Sequence, residues 1–239
     1  MNVALILTGH MRCWEQVFPN TKEVILDRYN PDVFIHAWDD QAWWDPHSKE
    51  GFVANSPKIE TDKIREAYKP VKMVFENFED KRADFEKQAE QYENHYHVKR
   101  NILSMFYKTG RGIDMMNEHT ARTGKHYDFV IRMRPDLILK QHLPNFDSAK
   151  FYTIQHRNHV GQGTGDMFQA SNQWLMTIFG NISVILPTLY KGTNILCPHI
   201  VSEYMFKTLS MPWEEFPIER MLMHTPAGEY KPKQIYGYQ

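Results

Sequence analysis

The chain has 239 residues, of which 42% are hydrophobic and 24% charged, a composition that is typical of a folded globular protein and excludes an intrinsically disordered one. Its 28 Lys and Arg residues stand against 29 Asp and Glu residues, so no overall field draws it to nucleic acid or to an anionic membrane. An anionic ligand would therefore need a local group of basic residues. The length allows one large domain or two small ones, and we expect one.

Cysteine usage and hydropathy bear on the compartment. Cys13 and Cys197 lie far apart without a CxxC or a metal-ligand spacing. They are expected to be free thiols in a reducing compartment, with a long-range disulfide as the alternative. The apolar run at residues 1–9 is too short for a signal peptide or a membrane span, and no other run approaches about 18 apolar residues. We expect a soluble, cytoplasmic protein.

A buried strand, a helix and a second buried strand open the chain. Residues 2–9 are apolar without alternation and end in Thr-Gly, which is typical of a central parallel strand. A helix is predicted at 14–29, with Pro19 near its start or kinking it. Residues 31–40 form the second strand. Together they predict a βαβ unit with a right-handed crossover.

The following segments continue the alternation of strands and helices. Residues 41–56, rich in Trp, Asp and His, are predicted to be a long functional loop. We then predict a helix at 61–70, a strand at 71–77 and a charged helix or exposed excursion at 80–98. An amphipathic helix at 101–119 and a strand at 125–139 come next. A strand follows at 150–155 and a Gly-rich loop at 159–171. Two helices are predicted at 174–179 and 197–211, and a strand-like or irregular piece at 211–224. The pattern favours an α/β fold with a mostly parallel sheet.

Ligands of open α/β sheets bind beyond the carboxyl ends of the strands, which indicates TGHMR at 8–12, HAWDD at 36–40 and RMRPD at 132–136. The sequence contains neither GxGxxG nor GxxxxGK[ST], so it lacks the main motif of a dinucleotide-binding fold and that of a P-loop. In the first motif, Gly9 permits close backbone approach and Arg12 can contact a phosphate, although a plain turn is the alternative.

The second motif places an aromatic ring and two carboxylates at a strand end. Trp38 could stack on a base or a sugar. Asp39 and Asp40 could bind hydroxyl groups or could cap the next turn. Both interpretations stay open at this point.

The third motif places charges inside an apolar strand. Arg132, Arg134 and Asp136 occupy alternate positions, so they face one side of the sheet, while the core side takes Ile131, Met133 and Leu137. Pro135 cannot donate to a ladder, so the strand must break or become an edge there. Two guanidinium groups and a carboxylate suit a diphosphate with Mg²⁺ or Mn²⁺, and an internal Arg–Asp pair is the alternative.

In this order, the motifs resemble a family of predicted glycosyltransferases found in large viruses, phages and bacteria. The resemblance rests on ALILTGHMRCW, DVFIHAWDD, NILSMFYKTGRGIDMMNEH and YDFVIRMRPDLIL, over about the first 140 residues, and more weakly on GTGDMFQAS and PHIVSEYMF. Such proteins are similar to GT-A enzymes, which hold a metal and the donor diphosphate with a D-x-D motif. The resemblance implies one GT-A-like domain over 1–239, with a nucleotide-sugar-binding half at 1–140 and an acceptor-binding half at 141–239.

The resemblance also implies roles for individual residues. Asp136 stands at the last position of D-x-D, and Arg134 replaces the first Asp, so Arg134 could neutralise the diphosphate without a metal. The implied donor-binding residues are Thr8, Gly9, Arg12, Trp38, Asp39, Asp40, Ser104, Tyr107, Lys108, Arg132 and Arg134, with Asp136 as the ligand of Mn²⁺ or Mg²⁺.

Two carboxylates remain for the chemistry, Asp166 in the Gly-rich loop and Glu203 on a helix. An inverting transferase needs a base on the acceptor hydroxyl, and a retaining one needs a group that stabilises the oxocarbenium-like centre. Asp166 is preferred, although it could simply form a turn after Gly165. Four histidines could add a metal ligand without any HxH or HExxH spacing: His156, His159, His199 and His224.

The predicted activity is transfer of a sugar from a nucleoside diphosphate sugar to a carbohydrate or glycoprotein acceptor. The alternative is a non-catalytic nucleotide- or carbohydrate-binding protein of the same fold. Neither nucleic acid nor a membrane span is expected.

Overall fold

The structure, a computed structural model, describes residues 1–42, 57–93, 98–154, 163–216 and 220–222. Most of the predicted loop at 41–56 and three of the four histidines, His156, His159 and His224, lie outside these residues. No helix in the described ranges is long and apolar enough to cross a membrane.

Strands and helices alternate through the chain. The strands are β1 Val3–His10, β2 Asp32–Trp38, β3 Lys72–Glu76, β4 Phe129–Met133, β5 Leu137–Leu139, β6 Phe151–Ile154, β7 Phe168–Ser171, β8 Trp213–Phe216 and β9 Arg220–Leu222. The helices are α1 Trp14–Thr21, α2 Asp27–Tyr29, α3 Thr61–Tyr68, α4 Glu79–Ala89, α5 Lys99–Thr123, α6 Gln173–Gly180, α7 Ile182–Thr193 and α8 Pro198–Thr208.

Seven of these strands form one sheet in the order β3-β2-β1-β4-β7-β6-β8. The pairs β3–β2, β2–β1 and β1–β4 are parallel, β7 runs antiparallel to both β4 and β6, and β8 is parallel to β6. The α/β class with a mostly parallel sheet flanked by helices is therefore confirmed.

Alternate residues of the sheet pack into two core layers. Leu5 and Ile35 face the layer that also holds Trp14 of α1 and the buried residues of α3. Ile6 and Phe34 face the opposite layer, with the buried residues of α4 to α8. Each layer contains residues from 1–140 and from 141–239, so the two predicted halves share one core. The assignment of donor and acceptor to those halves stays a prediction.

The helix predicted at 14–29 contains a change of geometry. Pro19 lies inside α1, and a π-helical turn at Lys22–Leu26 joins α1 to α2. The backbone N–H of Lys22 is shared between the carbonyls of Phe18 and Pro19, as is common at the end of an α-helix. The predicted helix is thus present over the whole range, with Pro19 inside its first segment and a π-helical turn in its middle.

The strand predicted at 125–139 is two strands. β4 ends at Met133, and β5 pairs antiparallel with β9 in a separate small sheet. The break at residues 134–136 follows the prediction from Pro135, because proline cannot continue the ladder. Arg134 and Asp136 therefore lie in a turn, and the expectation that they share a strand face with Arg132 is wrong. The apolar positions Ile131, Met133 and Leu137 do share one core layer.

The Gly-rich segment predicted as a loop also contains a strand. Residues Phe168–Ser171 form β7, a buried four-residue strand at the centre of the sheet. Asp166 precedes it and follows β6, the strand predicted at 150–155. Because β7 is antiparallel to β4, its start lies beside the carboxyl end of β4.

Helix α5 packs very close to β1 because residue 112 is a glycine. A Cβ built on Gly112 would lie 2.6 Å from Cγ2 of Thr8 and 2.8 Å from Cγ2 of Ile6. Any larger residue would push the helix away from β1. This close contact holds the first turns of α5 over the carboxyl ends of β2 and β3.

Candidate functional site

The strand order creates a switch point between β1 and β4. The chain passes from β1 outward to β2 and β3 with α1 and α3 on one face, then returns with α5 on the other face to place β4 on the opposite side of β1. In such sheets the crevice outside the carboxyl ends of the two strands is the usual ligand site. Residues 9–12 and 134–136 border this crevice.

A triad of Arg12, Asp136 and Arg134 lies at the switch point. Nη1 of Arg12 donates to Oδ2 of Asp136 at 2.7 Å. Arg134 donates from Nε to Oδ1 at 2.9 Å and from Nη2 to Oδ2 at 2.6 Å, a bidentate pair. Nε of Arg12 also donates to the carbonyl of Ala42 at 3.2 Å. The side chain of Asp136 is 1% exposed, whereas those of Arg12 and Arg134 are 11% and 22% exposed.

The triad keeps its arginines charged and has an excess of positive charge. Burial lowers the pKa of the Arg12 guanidinium, and the Asp136 carboxylate opposes this effect. Burial also acts to lower the pKa of Arg134, but Asp136 outweighs it and the pKa is raised. Within the triad two guanidinium groups stand beside one carboxylate, and the charge of Asp166 also acts on Arg134. Guanidinium groups in a partly desolvated crevice favour an anionic ligand.

A divalent cation fits this arrangement poorly. Both carboxylate oxygens of Asp136 accept hydrogen bonds from guanidinium groups, so a metal would have to displace Arg12 and Arg134. Within the described ranges no group of three or more His, Cys, Asp or Glu side chains could hold a metal ion. No chemical step below is routed through a metal.

Arg132 is the buried counterpart of the triad. Its Nε donates to Oγ1 of Thr8 at 2.7 Å, and its Nη1 donates to the carbonyl of Asp166 at 2.6 Å and to Oε1 of Gln169 at 2.9 Å. Gln169 in turn donates to the carbonyl of Gly165 at 3.1 Å. Burial lowers the pKa of Arg132 to about 10. With 2% exposure, Arg132 ties β1, β4 and β7 together.

Thr8 and Gly9 end β1 in different environments. Thr8 is fully buried and accepts the hydrogen bond from Arg132. Gly9 has a φ of +110°, and a Cβ built on it would meet nothing within 4 Å. The backbone conformation therefore requires the glycine, and the space beside it is open at the mouth of the crevice.

A second cluster lies where α5 covers the end of β2. Trp38 donates from Nε1 to Oγ of Ser104 at 3.1 Å. Nζ of Lys108 lies 3.6 Å from the centroid of the Trp38 ring and donates to the carbonyl of Ala37 at 3.0 Å and to Oε2 of Glu76 at 2.7 Å. Burial lowers the pKa of Lys108 to about 8. Trp38, Ser104 and Lys108 are 1%, 5% and 0% exposed, so a ligand has no direct access to them.

Glu76 connects this cluster to the sheet edge. Its Oε1 accepts from the hydroxyl of Tyr107 at 2.9 Å, and its Oε2 lies 3.5 Å from Nε2 of His36. Burial, and then the positive charge of Lys108, lower the pKa of His36 to about 3, so the imidazole is neutral. Burial raises the pKa of Tyr107 to about 12. The hydrogen bonds of Glu76 with Tyr107 and Lys108 connect α5 to the ends of β2 and β3.

The two aspartates after β2 are more accessible. Oδ1 of Asp40 lies 3.1 Å from Nδ1 of His10, and Oδ1 of Asp39 accepts from Nζ of Lys58 at 2.7 Å. Burial acts to raise the pKa of the Asp40 carboxyl, but the hydrogen bond with His10 and the nearby positive charge of Lys58 together outweigh it and the pKa is lowered. These side chains lie at the ends of neighbouring parallel strands beside the switch point.

The two predicted catalytic carboxylates lie on the other side of the switch point. Oδ1 of Asp166 is 3.9 Å from Nδ1 of His199. Glu203, one helical turn after His199, accepts from the backbone N–H of Gly163 at 2.5 Å and pairs with Nζ of Lys207 at 2.6 Å. Glu203 therefore holds the loop before β7, while Asp166 is the carboxylate next to Arg132 and Arg134.

The structure thus sorts the predicted donor-binding residues by access. Those at the open edge are Gly9, Arg12, Asp39, Asp40, Tyr107 and Arg134. Those buried beneath it are Thr8, Trp38, Ser104, Lys108, Arg132 and Asp136. The second group supports the first from below, and the binding of a donor by these residues, like the binding of a metal by Asp136, stays a prediction.

Sequence reasoning missed three residues of this region, His10, Glu76 and Gln169, and it considered His199 only as a metal ligand. The strand-end rule that selected Asp39 applies equally to Glu76, the last residue of β3, and to His10, the last residue of β1. Gln169 was hidden because β7 was interpreted as a loop.

Comparisons with known proteins give a limited result. No family model matches the sequence, and no curated protein matches it. Among solved structures, the chain is similar to the apo form of mouse xyloside xylosyltransferase 1, with 9% identity and a TM-score of 0.46, over 90% of this chain and 84% of that one. This likeness concerns the general arrangement of helices and strands. The resemblance to the viral, phage and bacterial family stays a prediction.

Proposed function

We propose that the protein is a glycosyltransferase that takes a sugar from a nucleoside diphosphate sugar and transfers it to a glycan or glycoprotein acceptor. The observation that carries the proposal is the triad of Arg12, Asp136 and Arg134 at the switch point between β1 and β4. Its two guanidinium groups, on side chains that are 11% and 22% exposed, suit a diphosphate, which binds arginine forks in bidentate fashion.

The two arginines would act on the leaving group. As the bond from the sugar to the diphosphate breaks, negative charge develops on the phosphate oxygens, and positioned guanidinium groups stabilise it. Asp136 holds both groups in place before the donor arrives, so little reorganisation is needed at the moment of reaction. The nucleoside would lie toward β2, where Asp39 and Asp40 offer carboxylates to ribose or base.

Binding of Mn²⁺ or Mg²⁺ at Asp136 stays a prediction. Such binding would require Arg12 and Arg134 to move away from the carboxylate. Arg134 supplies positive charge at a D-x-D position that normally carries a carboxylate. We therefore propose that the arginines perform the charge neutralisation that a metal performs in related reactions.

Release of nucleoside diphosphate from a panel of UDP-, GDP- and dTDP-sugars tests the proposal, with simple glycosides added as acceptors. Arg12→Met and Arg134→Met should each weaken donor affinity about 10- to 100-fold, because a hydrogen bond to a charged group contributes about 1.5–3 kcal/mol. Arg122→Met is the matched control, since Arg122 is exposed in the last turn of α5, near the amino end of β4.

Each outcome has a distinct meaning. Release that depends on Arg12 and Arg134 but not on Arg122 supports the transferase. Tight binding of a nucleotide sugar without release would favour the non-catalytic binding protein. Absence of both binding and release would contradict the proposal.

A further inference from the structure

The loop before β7 and the start of α8 hold one histidine in a defined orientation. Nδ1 of His199 lies 2.7 Å from the carbonyl oxygen of Thr164, and the backbone N–H of Thr164 donates to the carbonyl of His199 at 3.1 Å. A carbonyl oxygen can only accept a hydrogen bond, so Nδ1 must carry the proton. In the neutral imidazole, the basic lone pair is therefore on Nε2.

The neighbouring glycine shows how closely this segment is fitted to the histidine. Gly163 has a φ of +94°, and a Cβ built on it would lie 2.5 Å from Cβ of His199. Its backbone N–H donates to the Glu203 carboxylate on the next turn of α8. Contacts with Gly163 and Thr164 thus hold His199 in place, and its side chain is 14% exposed.

Two features place His199 beside the proposed donor site. The Asp166 carboxylate lies 3.9 Å from Nδ1 of His199, and its charge also acts on Arg134. The same loop is attached to the end of β4, because Arg132 donates to the carbonyl of Asp166 and the N–H of Arg134 donates to the carbonyl of Met167 at 3.0 Å.

We propose that His199 is the catalytic base that activates the acceptor, and that Asp166 and the carbonyl of Thr164 are its positioning groups. This inference rests on the proposed function. Nε2 of His199 takes the proton of the acceptor hydroxyl, and the acceptor oxygen forms a bond to the anomeric carbon of the donor. The bond from that carbon to the phosphate oxygen breaks, and its electron pair leaves on the diphosphate. The proton then passes from the imidazolium to solvent. A single displacement of this kind inverts the anomeric centre.

Two substitutions of His199 separate a role as the base from a role in holding the loop. Asn at position 199 has an amide nitrogen near the place of Nδ1, so His199→Asn keeps a donor for the carbonyl of Thr164 but has no basic nitrogen. His199→Ala loses both. If His199 is the base, both variants lower kcat by about 100- to 10,000-fold, the usual range for a general base. If the side chain only holds the loop, His199→Asn keeps most of the activity.

The measurement is nucleoside diphosphate release from the donor identified in the panel, with donor Kd determined separately. We expect unchanged donor Kd in both variants, loss of kcat in both, and partial recovery of His199→Ala by added imidazole. Asp166→Asn should lose less than His199→Asn.

Three results would overturn the inference. Wild-type kcat in His199→Asn, or a larger loss in Asp166→Asn than in His199→Asn, would remove His199 as the base and leave the transferase proposal intact. Donor binding by the wild type without turnover would overturn the catalytic role while leaving nucleotide-sugar binding. Failure of every nucleotide sugar to bind the wild type would instead refute the proposed function itself.

Discussion

Replacing Asp136 by Asn tests whether its carboxylate is the internal counter-ion of two arginines. Asp136 is 1% exposed and accepts three hydrogen bonds from Arg12 and Arg134. Asparagine is similar in shape but carries no charge and turns an amide toward the guanidinium groups. Breaking a buried ion pair by removing one partner costs about 3–5 kcal/mol. For a chain of this length that corresponds to a Tm lower by about 6–20 °C.

Asp114→Asn is the matched control for this variant. Asp114 accepts from Nη1 of Arg111 at 3.0 Å on the exposed surface of α5, where an ion pair contributes at most about 1 kcal/mol. Thermal melts of both variants give the comparison. A decrease in Asp136→Asn no larger than in Asp114→Asn would refute the counter-ion role. Added pyrophosphate should restore part of the stability that Asp136→Asn loses, because it supplies the missing negative charge to the arginines.

Two further changes test the support beneath the site. Gly112→Ala should destabilise the fold by about 1–3 kcal/mol despite the better helix propensity of Ala, because its Cβ would meet Thr8 and Ile6. Chemical denaturation measures this change in the free energy of unfolding, and a stabilised variant would contradict the close packing of α5 on β1. The folded pKa of His36, about 3, lies below its value of about 6.5 in an unfolded chain, so the unfolded chain binds the proton first. Stability should then fall as pH decreases from 6.5 toward 3, by up to about 1.4 kcal/mol per unit, and His36→Gln should show a shallower fall in melts over that range.

Hydrophobic patterning was sufficient to predict the strands that build the switch point. The apolar runs of β1 and β2 are long and end in polar residues. Pro135 predicted the strand break, and the alternation before it predicted the core positions Ile131 and Met133. These features follow from local rules, because a buried strand needs apolar side chains and proline cannot extend a ladder.

The burial of charged residues was not predictable from local pattern. Lys108 looks like an exposed helical residue, yet it is fully buried because Glu76, 32 positions away in the sequence, supplies its counter-ion. The four residues of β7 are too few to show a period, and the flanking glycines suggested a loop. Gly165 is needed there because a Cβ would lie 2.1 Å from the carbonyl oxygen of Ile154. Only the tertiary structure reveals such a close approach.

The first measurement to make is the thermal shift of the wild type with UDP-, GDP- and dTDP-sugars, in EDTA and in Mn²⁺, beside Arg134→Met. A donor at 100 times its Kd adds about 2.7 kcal/mol of stability, which a melt resolves. The arginine account predicts that one donor stabilises the wild type in EDTA and that Arg134→Met loses the shift. A shift that appears only with Mn²⁺, or one that Arg134→Met retains in full, would contradict it.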